Sequence, residues 1–133
     1  MKTTLSGKTK LIFLGLFLCM SSALAGGSRV TGTYSSLEYN REAGDLNGLE
    51  VRVVLTNEGY KATVQFSEGG AGNIFIVPFK ASDRHISFDV PSEEGKPAQF
   101  LGNLTDKGLK GTIKYPSGAS ETIFLPRKKS YWD

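Results

Sequence analysis

The chain of 133 residues holds one cysteine, one histidine and one tryptophan, and each scarcity closes a route. Cys19 lies inside an apolar segment near the start, so the rest of the chain has no disulfide or thiolate chemistry to draw on. A Ser-His-Asp or Cys-His nucleophile set cannot be built around the single His85, which alternates with Ile86 and Phe88 and is therefore expected to face solvent. Metal sites need several convergent ligands. Glu38, Glu42 and Asp45 are spread over a loop, and Glu93-Glu94 reads as loop solvation, so no metal and no cofactor is expected. Helical periodicity is absent after residue 25, which removes the helix that a phosphate-binding glycine loop requires. These exclusions argue against an enzyme.

Long hydrophobic runs are also missing. The longest, Leu11 to Leu18, is too short to span a bilayer. Lys2, Lys8 and Lys10 precede it and Ala23-Leu24-Ala25 follows it, the pattern of a secretory signal peptide cleaved after Ala25. Leu18, rather than a small residue, stands before Cys19, which speaks against a lipoprotein signal. Residues 1–25 are thus expected to be a signal peptide and 26–133 a single domain, secreted or periplasmic, with no membrane span after cleavage. Of the 16 basic residues three leave with the signal, and the remaining 13 match the 13 acidic ones. A neutral domain of this kind gives no reason to expect a nucleic-acid partner.

What is abundant is short alternating runs with turn residues between them. The runs are Val30 to Tyr39, Leu49 to Leu55, Tyr60 to Phe66, Ile74 to Phe79, Ile86 to Val90, the two arms of Phe100 to Ile113, and Glu121 to Leu125. Short links join antiparallel neighbours. Eight strands in chain order make an up-and-down meander, and closure into a barrel removes its edges. The fold class expected is therefore an all-β, eight-stranded antiparallel up-and-down barrel. A Greek-key sandwich needs a long crossover, and the sequence has none.

Phe100 to Ile113, FLGNLTDKGLKGTI, is nearly symmetric about Asp106-Lys107. A loop at Thr105 to Gly108 sets Leu104 opposite Leu109, Gly102 opposite Gly111, and Phe100 opposite Ile113, all on the inner face. Facing glycines permit sharp coiling and leave a notch. Either a large side chain from across the barrel fills that notch, or it admits part of a ligand. Alternation also points Tyr34, Val51, Val53, Ala62, Val64, Phe66, Ile76, Ile86, Phe88, Ile123 and Leu125 inward.

Gly32-Thr33-Tyr34 in the first strand and Arg127 directly after the last resemble the lipocalin (calycin) pattern. There a Gly-x-Trp is covered by a late arginine that closes the barrel base. The resemblance implies that Tyr34 stands in the tryptophan's place with Arg127 stacked on it. Trp132, five residues after Arg127, is placed either to cover the same end or to compete for the arginine. It further implies a small apolar ligand in the interior, lined by Tyr34, Val53, Ala62, Val64, Phe88, Phe100, Gly102, Gly111 and Ile113. Small secreted bacterial lipocalin-like barrels are the nearest kin it suggests.

A barrel of eight strands lies at the border between a filled interior and one that holds a small ligand. Two functions follow as expectations: a barrel that binds a small apolar or amphipathic ligand inside, or a filled barrel acting as a protein-binding module through its outer surface. Candidates for such a surface are Phe75 and Val77 in the wholly apolar run Ile74 to Phe79, and the basic edge Arg127, Lys128 and Lys129. Pro78 suggests a bulge that would instead turn Phe79 inward. Asn103-Leu104-Thr105 has the form of a glycosylation sequon.

Overall fold

A computed structural model describes residues 29–93 and 95–133; the expected signal peptide at 1–25 lies outside them. The strands are β1 (Gly32–Ser35), β2 (Glu38–Asn40), β3 (Asp45–Thr56), β4 (Gly59–Gly69), β5 (Ile74–Ser82), β6 (His85–Val90), β7 (Ala98–Leu104), β8 (Gly108–Lys114) and β9 (Ser120–Pro126). There is no helix among the described residues. β1 and β2 are two halves of the expected first strand, and both pair with β3. The break falls where the Ser36 Oγ accepts from the Leu49 amide at 3.1 Å, a side chain standing in for a ladder partner.

From β3 onward each strand pairs antiparallel with the next, in chain order. The barrel is nearly closed by a bridge between Tyr34 and Arg127 and by the Lys128 amide, which donates to the Thr33 carbonyl at 3.1 Å. The hairpin of β7 and β8 has the register its near-symmetry implies, with Leu104, Gly102 and Phe100 opposite Leu109, Gly111 and Ile113. Thr105 pins its loop: the side-chain hydroxyl donates to the Gly108 carbonyl at 2.9 Å and accepts from the Gly108 amide at 3.1 Å.

Strand alternation fills the interior. Tyr34, Leu49, Val51, Val64, Phe100, Leu109 and Leu125 are completely buried. Phe79, Phe88 and Phe100 lie in one cross-strand row and stack at centroid distances of 5.4 and 4.8 Å. Such offset pairs add to the area they bury.

β5 corrects two expectations. Phe75, Val77 and Phe79 point inward by plain alternation, with no bulge, and Ile74, Ile76 and Pro78 face out. Ile76, expected in the core, is 76% exposed. The run carries no polar residue to mark its outer face, so its phase could not be read. Pro78 sits where β5 leaves β4 (Lys61 opposite Pro78) and begins to pair with β6 (Phe79 opposite Phe88). A residue without an N–H costs least at such a hand-over.

After Arg127 the tail crosses the outer face of β3 and β4. Glu50, which is buried there, accepts from the Ser130 hydroxyl and from the Tyr131 amide at 2.8 Å. The Trp132 indole N–H donates to Gln65 Oε1 at 2.7 Å, and Asp133 pairs with Arg52 at 3.2 Å. Trp132 therefore belongs to this strap; it neither covers the Tyr34 end nor competes for Arg127.

Candidate functional site

The residues expected to line an internal ligand site are core residues. Tyr34, Val53, Ala62, Val64, Phe88, Phe100 and Ile113 are each at most 3% exposed. The notch is filled as well. A Cβ at Gly102 or Gly111 would meet the tip of the Phe100 ring at 2.9 or 2.7 Å, and the facing strand's carbonyl oxygen at 2.4 Å. The filler is thus Phe100 from the same hairpin, not a side chain from across the barrel. β7 and β8 approach so closely that no side chain fits at either glycine without parting them.

One end of the barrel is sealed. The Arg127 guanidinium lies 4.7 Å from the Tyr34 ring centroid, donates to the Tyr34 hydroxyl at 2.7 Å and to the Thr31 carbonyl at 2.8 Å, and also reaches the Arg29 carbonyl. The Tyr34 hydroxyl in turn donates to the Val30 carbonyl at 2.6 Å. Gly32, at φ 137°, makes the room: a Cβ there would lie 2.6 Å from Arg127 Nη1. Burial raises the Tyr34 pKa above its usual value of 10.0, and the Arg127 charge partly opposes the rise. Arg127 is therefore engaged at this end rather than part of a free basic edge with Lys128 and Lys129. Phe75 and Val77, the other surface candidates, face inward.

The opposite end is open. Here the inward series runs past the packed interior: from Val64 to Phe66 and Glu68 on β4, from Ile113 to Tyr115 beyond β8, and from Ile123 back to Glu121 on β9. Phe75, Val90 and Ala98 complete the apolar lining from β5, β6 and β7. A cleft of about 280 Å³ lies among Phe66, Val90, Pro91, Ala98, Tyr115 and Pro116, with Lys96 also on its wall. A second, of about 340 Å³, adjoins it across Phe66, Pro91 and Ser92 and reaches Phe75, Glu68 and Glu93. No protein-family model matches this chain, and neither does any curated protein or solved structure. The mouth is thus read from its own chemistry.

That chemistry is aromatic and acidic. The Tyr115 hydroxyl donates to Glu121 Oε2 at 3.0 Å. Partial burial raises the Tyr115 pKa above 10.0, and the hydrogen bond to Glu121 and the charges of Glu121 and Glu68 raise it further. Asn73 Nδ2 donates to Glu93 Oε1 at 2.5 Å. Of these mouth residues the sequence singles out Phe66 as core, Phe75 as a surface candidate and Glu93 as loop solvation, and none of them as a ligand site. A signal existed: each inward series turns from apolar to charged or phenolic as it leaves the interior.

Proposed function

We propose that this protein is a secreted or periplasmic, non-enzymatic binding barrel that holds a small apolar or amphipathic molecule at its open mouth. One observation carries the reading. The interior is packed solid, yet at one end inward-facing aromatic and aliphatic side chains line a cleft that no segment of the described chain covers. Concave, mostly apolar sites with a few polar groups are where small ligands bind, and 280 Å³ suits a small one. The signal-like first 25 residues support the compartment. The lipocalin resemblance supports the ligand class, with the site moved from the interior to the rim.

The test is titration of the purified protein with an uncharged apolar fluorophore such as N-phenyl-1-naphthylamine. Saturable binding is expected, weakened about tenfold by Tyr115→Ser, which removes an aromatic wall. Absence of saturation, or equal affinity in the variant, overturns the reading. A second reading has its own observation. Ile74 and Ile76 are 62% and 76% exposed, and Ile74 lies opposite Gln65, which holds the 53%-exposed Trp132. If Ile76→Ser rather than Tyr115→Ser abolishes probe binding, this outer patch replaces the mouth as the site.

A further inference from the structure

Resting on the mouth as the binding site, we infer that it selects a cationic head group: the ligand is an ammonium-bearing amphiphile. Three features of the same cleft lead there. First, Phe66, Phe75 and Tyr115 offer aromatic side chains on its walls, and aromatic faces attract ammonium groups.

Second, the rim carries more negative than positive charge. Glu68 and Glu93 line the adjoining cleft and Glu121 stands beside Tyr115. Glu38 lies one row along, opposite Asn47, which is opposite Glu68. Against them stand Lys96, on the wall, and Lys114, which alternation turns to the outer face of β8.

Third, the rim carboxylates are oriented but not neutralised. Glu121 accepts from a phenol and Glu93 from an amide, both neutral donors. Among the described residues none of Glu68, Glu93 and Glu121 is in an ion pair, whereas Arg52, Lys61 and Arg84 pair with carboxylates elsewhere on the surface. Low-dielectric walls focus the field of such charges into a cleft. An apolar chain would lie against Phe66, Val90 and Ala98 with its ammonium at the rim. An anionic amphiphile would bring a like charge toward Glu68, Glu93 and Glu121, with only Lys96 to offset it.

The experiment displaces the uncharged fluorophore with three ligands of one chain length: octyltrimethylammonium, 1-octanol and octanoate. The expected order is cation, neutral, anion, with about a tenfold gap between first and last at low salt. The gap should shrink below about threefold in Glu68→Gln/Glu121→Gln and at high salt. That double variant should keep the wild-type circular dichroism spectrum and urea midpoint, which separates a lost charge from a lost fold. Octanoate binding as tightly as the cation, or a gap indifferent to both glutamates, overturns the inference and leaves the mouth as a binding site. If none of the three displaces the fluorophore, the site itself is wrong and the inference falls with it.

Discussion

Tyr34 and Tyr115 stand at opposite ends of the same inward-facing surface, and their surroundings differ in sign. Tyr34 is covered by a guanidinium whose N–H groups donate to the Tyr34 hydroxyl and to the backbone carbonyls of Thr31 and Arg29. Both terminal nitrogens of the guanidinium and the Tyr34 hydroxyl have partners within the fold, so the ring plugs this end. The Tyr115 hydroxyl meets a carboxylate and its ring is only half-buried. Nothing in the described chain covers it. The comparison teaches that the strand pattern alone does not decide whether a barrel end is shut. The decision lies with the next residue outward: a cation that can reach free carbonyls seals, while carboxylates beside an aromatic leave it uncovered.

The contrast can be broken by mutation. The largest effect is expected from Tyr34→Ala, which empties a fully buried site and strips Arg127 of its partner; a loss of about 3–5 kcal/mol is anticipated from aromatic truncations in cores. Urea denaturation measures it, and a loss under about 1 kcal/mol would mean that the plug is not structural. Next, Arg127→Ala should destabilise the wild type more than it destabilises Tyr34→Ala. The coupling should be about 0.5–2 kcal/mol, because only the wild type offers both ring and hydroxyl. A double-mutant cycle with no coupling would make their contact incidental.

A smaller effect comes from alkali. Because burial raises the Tyr34 pKa above 10.0, the folded protein keeps that proton to higher pH than the unfolded chain does. The associated stability is fully present below about pH 10 and is lost as pH rises through the folded value. The urea midpoint of the wild type should therefore fall more steeply as pH rises above about 10 than that of Tyr34→Phe; parallel curves would contradict this. Smallest of all, Tyr115→Phe should change stability by no more than about 0.5 kcal/mol, as expected of a solvent-accessible hydrogen bond. A larger loss would show the mouth to be part of the core.

Much of this architecture is written in local pattern. The strands follow from alternation, their order from short turns, and the register of β7 and β8 from the paired glycines between Phe100 and Ile113. Gly32, Tyr34 and Arg127 are separated by most of the chain, and only a family resemblance brings them together in advance. Other features escaped for identifiable reasons. Ile74 to Phe79 is apolar throughout, so its inward phase depends on neighbours that the sequence does not display. The strap 127–133 is held by Glu50, Arg52 and Gln65, polar residues with no pattern linking them to the terminus. The mouth is assembled from the ends of strands, where alternation is still obeyed but the residue types change. Glu68 and Tyr115 look like turn polarity, and Glu121 like a plain strand start, until the register places them on the inner face.

The stitch between the first strand and the residue after the last has a consequence for the order of events in folding. Arg127 reaches Thr31 across 96 residues of sequence, whereas nearly every other pairing joins consecutive strands. Hairpins such as β7 and β8 can form as soon as their own residues exist, but the ring cannot shut until Arg127 and Lys128 are available, and contacts between distant segments form slowly. A growing chain therefore remains an open ribbon until Arg127 and Lys128 have been added. The knot that makes the ribbon a barrel is thus tied late, by Arg127 and Lys128 on the first strand. Trp132, in the strap just beyond the stitch, can report the moment, and its fluorescence change should trail the appearance of β-structure during refolding.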